Sequence, residues 1–457
     1  DLVLNHTSDR HPWFLESRSS PSNPKRDWYV WRDTKDSQPP NNWVSCFGGS
    51  AWEYDPITGQ YYYHCFFKEQ PDLNWRNPEV RQAMWSAARF WFDLGVDGFR
   101  LDAIGTIFED PALPDHPARQ RLVKLRRAWL TARTHEDRQL REEQDHALFR
   151  YQLDRPEVHD LMRELRALAD GYPDRVLVGE TENCSYYGNG NDELHLVFNF
   201  PLMRPARLTP VVVRANQRQR LSAMPPGAWP CNTLGNHDES RVFSRFANGS
   251  HDDELARLSL ALVLSLRGTP FLYYGEEIGM TDLLLNEADL FRDNLGVWFY
   301  RALLEEAGPP AEALALAARL GRDKSRTPMQ WANVPNGGFS PPSVRTWLPV
   351  NPNYGEGVSV AEQSNDPGSL LSFYRRMLRL RQETPALVAG DYQPLHEEAE
   401  DYLAFLRHSG PDRQTCLVVL NMSNRTHTLG FDLDAASVRL LFSSLARTME
   451  SDDPRRL

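Results

Sequence analysis

Three short apolar runs in this chain lead to an acidic residue. That recurrence limits the possible folds more than any other feature of the 457 residues. The runs are Gly98-Phe99-Arg100-Leu101-Asp102, Val176-Leu177-Val178-Gly179-Glu180 and Leu234-Gly235-Asn236-His237-Asp238. A helical pattern precedes the first, and another separates it from the second. Strand–helix–strand order argues for a parallel sheet, because parallel neighbours need a crossover between them. The carboxyl ends of such strands are where a β/α barrel gathers its reactive groups.

The periodicity supports this reading. Asn77-Pro78-Glu79 is a helix start, with Asn77 as cap and proline at the first helical position. Val80, Met84, Ala87, Trp91 and Leu94 then recur at spacings of four and three, predicting the buried face, and Gly95 predicts the stop. A second helix is expected from about Asp154 to Gly171 on Val158, Leu161, Met162, Leu165 and Leu168. A third, Ser369 to Glu383, has Leu370, Phe373, Tyr374 and Met377 on one face and arginines opposite. Asp1 to His6, Leu194 to Phe200, Trp229 to Asn236 and Pro270 to Tyr274 read as further strands. Six strands in all fall two short of an eight-stranded barrel. The expected fold is therefore α/β, a (β/α)8 TIM barrel whose first two βα units are missing from the amino end. Residues 1–6 and 77–389 form that barrel. Residues 7–76, rich in aromatics, form a small inserted subdomain whose rings are expected to be mostly its own core. Residues 390–457 form an antiparallel β domain, and the tail at Ser451-Asp452-Asp453-Pro454 carries no evident final strand. Residues 111–150 read as a charged, solvated helical excursion and 281–320 as a helical insertion.

Composition excludes several classes. The net charge of -11 disfavours a nucleic-acid partner. No apolar run approaches the roughly 18 residues of a membrane span. The five cysteines, without C-x-x-C spacing, read as reduced thiols of a cytoplasmic protein, and neither a metal site nor a cofactor is expected. His11, His64, His135 and His146 have no ligand spacing. The oligomeric state is left open.

A lone acid at a strand end is usually a helix cap or a surface group. Three of them, with their neighbours, fit that explanation poorly. Along a strand of period two, Arg100 and Asp102 share a face, where each costs free energy unless it satisfies the other. Two carboxylates at strand ends, one ionised and one protonated, suit the cleavage of a glycosidic bond.

The same residues resemble the α-amylase superfamily (glycoside hydrolase family 13). Asp1-Leu2-Val3-Leu4-Asn5-His6, Gly98 through Asp102, Val178-Gly179-Glu180 and Asn236-His237-Asp238 are similar to its four signature regions, in order. Gln70-Pro71-Asp72-Leu73-Asn74 and Arg326-Thr327-Pro328-Met329-Gln330-Trp331 resemble its oligo-1,6-glucosidase and α-glucosidase branch. The resemblance implies Asp102 as nucleophile, Glu180 as general acid/base and Asp238 as transition-state stabiliser. It implies sugar contacts from His6, Phe66, Gln70, Arg100, His237 and Arg326. Glu276 and Glu277 are expected to support the site from behind. Ala103, after the nucleophile, points to α-1,4 rather than α-1,6 linkages. The expectation is a retaining exo-α-glucosidase acting on short oligosaccharides such as maltose. An oligo-1,6-glucosidase or a glucosyl-transferring enzyme is the alternative within the branch. A non-catalytic relative or an inactive fragment is the alternative of another class.

Overall fold

The structure, a computed structural model, describes residues 1–118, 121–132, 135–410, 414–433 and 438–444, apart from the side chains of residues 135, 136, 138, 139 and 142. The readings placed on the 451–454 tail and on the His135 side chain fall outside these. In chain order the strands are β1 (Leu2–Val3), β2 (Trp31–Asp33), β3 (Trp52–Asp55), β4 (Gln60–Tyr63), β5 (Gly98–Asp102), β6 (Val176–Gly179), β7 (Leu196–Val197), β8 (Cys231–Thr233), β9 (Thr269–Phe271), β10 (Asp391–Leu395), β11 (Tyr402–Ser409) and β12 (Gln414–Asn421). Two compact units emerge. One holds Asp1–Phe200, Arg220–Pro230 and Leu283–Arg326; the other holds Pro201–Gln219, Cys231–Asp282 and the described part of Thr327–Leu457.

In the first unit β1, β5, β6 and β7 pair in that order, all parallel, with Leu2 beside Leu101 and Arg100 beside Val178. The helices Pro78–Leu94 and Glu157–Ala169 supply the crossovers. Asn77 caps the first by accepting the Glu79 N–H, and Gly95 ends it at φ 102°, a left-handed conformation that glycine adopts at little cost. Its buried face differs from the one predicted. Val80, Met84, Trp85, Ala88 and Phe92 are buried, whereas Trp91 and Leu94 are exposed. The helix carries large apolar residues on two stripes, and its neighbours choose between them. Phe92 packs on Phe99 and Tyr172 at 4.6 and 5.0 Å, and Trp85 packs on Trp75 while donating to Glu164.

Residues 7–76 contain the antiparallel sheet β2-β4-β3. Trp43, Trp52 and Tyr63 are buried there in a common cluster, while Tyr54 lies exposed. The 111–150 excursion is not only a solvated face. Its helices Leu122–Thr131 and His135–Phe149 bury Leu122, Leu125, Leu148 and Phe149 together. The 281–320 insertion is helical at Asn294–Glu305 and Pro310–Leu320.

The second unit has the parallel pair β8–β9 and the antiparallel sheet β10-β11-β12. The β7, β8 and β9 strands are shorter than the runs read from sequence, which continue into loops and turns. Around the antiparallel sheet, Leu403, Phe405 and Leu420 share a core with Leu262, Val263 and Leu266. The helix Leu370–Gln382 buries Leu370, Phe373, Tyr374 and Met377 as expected. It also buries one of the arginines assigned to its outer side. Arg381 donates to the carbonyls of Leu264 at 2.5 Å and Gly268 at 2.6 Å, satisfying main-chain acceptors that burial would otherwise strand.

Candidate active site

In the first unit Arg100 links the two leading acids. Lying on the same strand face as Asp102, it pairs through Nη1 with Asp102 Oδ1 and through Nη2 with Glu180 Oε1 at 2.7 Å. A planar guanidinium can bridge two carboxylates in this way, whereas an ammonium would offer only one point of charge. The register makes it possible, because the Glu180 N–H donates to the Leu101 carbonyl and brings the β6 end beside the β5 end. The second Glu180 oxygen, Oε2, accepts the backbone N–H of Ala103 at 2.9 Å. Ala103 sits at φ 44°, ψ 45°, an uncommon left-handed conformation for a residue with a side chain. The turn swings its amide towards Glu180. This main-chain donor is the site feature that residue identities alone did not disclose.

His6 follows β1 and faces the same region. Burial pulls its imidazole below the usual range, while the charge of Asp102 pushes the other way. Gln70 donates to His6 Nε2 at 2.7 Å, and the Phe66 ring meets the imidazole edge-on at 5.5 Å. The Gln70-Pro71-Asp72-Leu73-Asn74 segment is pinned to the β1 end. Thr7 N–H donates to Pro71 O, Leu73 N–H donates to Asn5 O, and buried Asp72 accepts the Cys65 N–H. These bonds explain the motif physically: it holds His6 and Phe66 in register. Arg326 follows a turn in which its N–H donates to Asp323 O, beside the Asp293–Arg322 ion pair at 2.7 Å.

The second unit carries His237 and Asp238 just beyond β8. Asn236 Oδ1 accepts the N–H groups of Asp238 and Glu239, at 2.9 and 3.0 Å, forming a turn that presents Asp238. His237 Nε2 lies 3.5 Å from Asp238 Oδ2, and both side chains are part-exposed. Behind them, buried Glu276 accepts the Tyr273 N–H, and its other oxygen lies 2.0 Å from where a β-carbon on Gly235 would stand. Any side chain at position 235 would have to displace that carboxyl. Burial pushes the Glu276 carboxyl up to about 7. Arg245 donates to the Leu234 carbonyl from the same interior.

Thus His6, Phe66, Gln70, Arg100, Asp102 and Glu180 form connected geometry in one unit, and His237 and Asp238 form a local pair in the other. Among the described residues, no three His, Cys, Asp or Glu side chains converge as a metal site. No helix among them is long and apolar enough to cross a membrane.

Parallel strands ending in carboxylates, with an inserted small sheet and a later antiparallel one, place this chain in the α-amylase family of β/α barrels. Residues 1–390 match the model of that family's catalytic domain, "Alpha amylase, catalytic domain", and the chain belongs to the family. It is 43% identical over 437 residues to a probable alpha-glucosidase of Rhizobium meliloti (strain 1021), covering 94% of this chain and 73% of that protein. It is 36% identical over 446 residues to an oligo-1,6-glucosidase of Parageobacillus thermoglucosidasius, covering 93% and 74%. Among solved structures, a mutant of isomaltulose synthase from Erwinia rhapontici NX5, in complex with D-glucose, superposes with TM-score 0.83 at 33% identity, covering 100% of this chain and 80% of that one.

Proposed function

We propose that this chain is a retaining exo-α-glucosidase that releases terminal α-1,4-linked glucose from short oligosaccharides such as maltose. The observation that carries the reading is Arg100 holding both Asp102 and Glu180. In this mechanism ionised Asp102 attacks the anomeric carbon while Glu180 protonates the departing glycosidic oxygen, and Glu180 then activates water to release the sugar. Arg100 aims the nucleophile through a charge-assisted hydrogen bond. Glu180 cannot donate a proton while it is ion-paired, so it exchanges Arg100 for the glycosidic oxygen when substrate enters. For Asp238, the role of transition-state stabiliser is what its match to the family's last signature region implies. His6, with its nitrogen lone pair engaged by Gln70, is kept neutral beside Phe66; for His237 and Arg326, sugar contacts are what their match to the family motifs implies.

Ala103 favours α-1,4 action, because a small side chain there leaves room beyond the first sugar. The name of the Parageobacillus relative favours a second reading, cleavage of α-1,6 linkages. Initial rates on maltose and isomaltose separate the two, and a preference for isomaltose overturns the first. Proton NMR of the first product tests retention: α-glucose is expected, and β-glucose rules out the double displacement.

A further inference from the structure

Two of the five cysteines, 19 positions apart in sequence, touch. Cys46 Sγ lies 3.5 Å from Cys65 Sγ, a thiol–thiol contact. Their backbones are joined as well, since the Cys46 N–H donates to the Cys65 carbonyl at 2.8 Å. Each partner is fixed by its surroundings. Cys46 belongs to a tight loop in which the Ser45 N–H donates to Gly49 O and the Gly48 N–H donates to Ser45 O. Gly48 in that loop is pressed against the Trp298 indole so closely that any β-carbon would collide with it. Cys65, two residues beyond β4, is fully buried, and its own N–H is held by Asp72. With both main chains held, bringing the sulfurs to bonding distance needs side-chain rotation and little else.

We propose that Cys46 and Cys65 are an oxidation site, a dithiol that closes to an intramolecular disulfide on reaction with a small-molecule disulfide. Cys46 is half-buried and Cys65 fully buried, so the first attack falls to Cys46. Its thiolate attacks the reagent R–S–S–R, forming Cys46–S–S–R and releasing one RS⁻. Cys65 then attacks the Cys46 sulfur and the second RS⁻ leaves, taking up the Cys65 proton. The two cysteines lose two electrons and two protons, and the reagent is reduced to two thiols. The hydrogen bond that the Cys65 thiol donates to Cys46 and the burial of Cys65 both hold that thiol well above its usual range, which makes it the resolving rather than the attacking group.

The new bond would tie the chain immediately before Phe66, whose carbonyl already accepts from Ser45 Oγ and whose ring meets His6. Oxidation would therefore fix the wall of the candidate sugar site without touching an acid.

The test uses the reduced, folded protein with excess 2-hydroxyethyl disulfide, followed by alkylation, digestion and mass spectrometry. The expected product is a Cys46–Cys65 linked peptide, lighter by two hydrogens than the sum of the reduced peptides. A rise in melting temperature of about 5 °C should accompany it. Dithiothreitol should reverse both, and Cys46→Ser should show neither. A lasting mixed adduct on Cys46, full alkylation of both thiols, cross-links only elsewhere, or a cross-link that lowers the melting temperature would each overturn the proposal. None of these readouts depends on glucosidase activity, so failure here is distinct from failure of the functional reading.

Discussion

Arg100 concentrates the chemistry of the first unit in one side chain. A lysine in its place keeps the charge but loses the planar fork that aims Asp102. Arg100→Lys should therefore lower kcat by about 10²–10³, in the range seen when one preorganised donor is lost, with a smaller change in KM. Steady-state kinetics on maltose would check this, and a variant with parental kcat would show that the guanidinium's hold on Asp102 is dispensable. Ala103 contributes in two ways, through its amide to Glu180 and through a left-handed backbone. Ala103→Val places a β-branched residue where φ is positive, which should cost roughly 1–3 kcal/mol of stability. If the linkage reading of Ala103 is right, the same variant should shift the maltose-to-isomaltose rate ratio towards isomaltose. Chemical denaturation and paired initial rates measure the two effects separately. Arg100 and Asp102 were legible in the sequence, because period two fixes which residues share a face. The Ala103 amide was not, since main-chain direction at a turn depends on φ and ψ and leaves no mark on residue identity.

At the scale of elements, the helix Pro78–Leu94 shows where pattern reading runs short. Its start and stop were written in Asn77, Pro78 and Gly95, but its orientation was not. Two apolar stripes satisfy the same helical period, and burial of Trp85 and Phe92 decided between them. Phe92→Ala should cost about 3–5 kcal/mol, whereas Trp91→Gln on the exposed side should stay within roughly 0.5 kcal/mol. Urea titration of both variants would test the orientation, and equal costs would contradict it. The β8 end offers a pH test. Glu276 titrates at about 7 rather than 4.5, so the folded chain holds a proton there that the unfolded chain releases between those values. Stability from this group is therefore fully present at acid pH and is lost as the pH rises through 7, by about 3 kcal/mol in all. Glu276→Gln should remove that part of the decline between pH 5 and 7. Melting curves across the range would show it, and an unchanged slope would mean that Glu276 does not carry the buried charge.

For the molecule as a whole, the charge of -11 bears on its partners. A neutral disaccharide gains nothing from long-range steering, so kcat/KM on maltose should vary less than about two-fold between low salt and roughly 0.5 M salt. Stopped assays at several ionic strengths would check it, and a steep fall would point to an ionic substrate. The family, the order of the acidic strand ends and the main crossover helices were determined by the sequence alone. Those features rest on local periods, caps and short motifs, which residues specify with their near neighbours. Tertiary structure decided which stripe of a helix faced inward, that Arg381 would satisfy buried carbonyls, that two distant thiols would meet, and that Arg100 would hold Glu180 as well as Asp102. Each of these contacts joins residues far apart in sequence, and only packing and hydrogen-bond satisfaction in three dimensions select such partners.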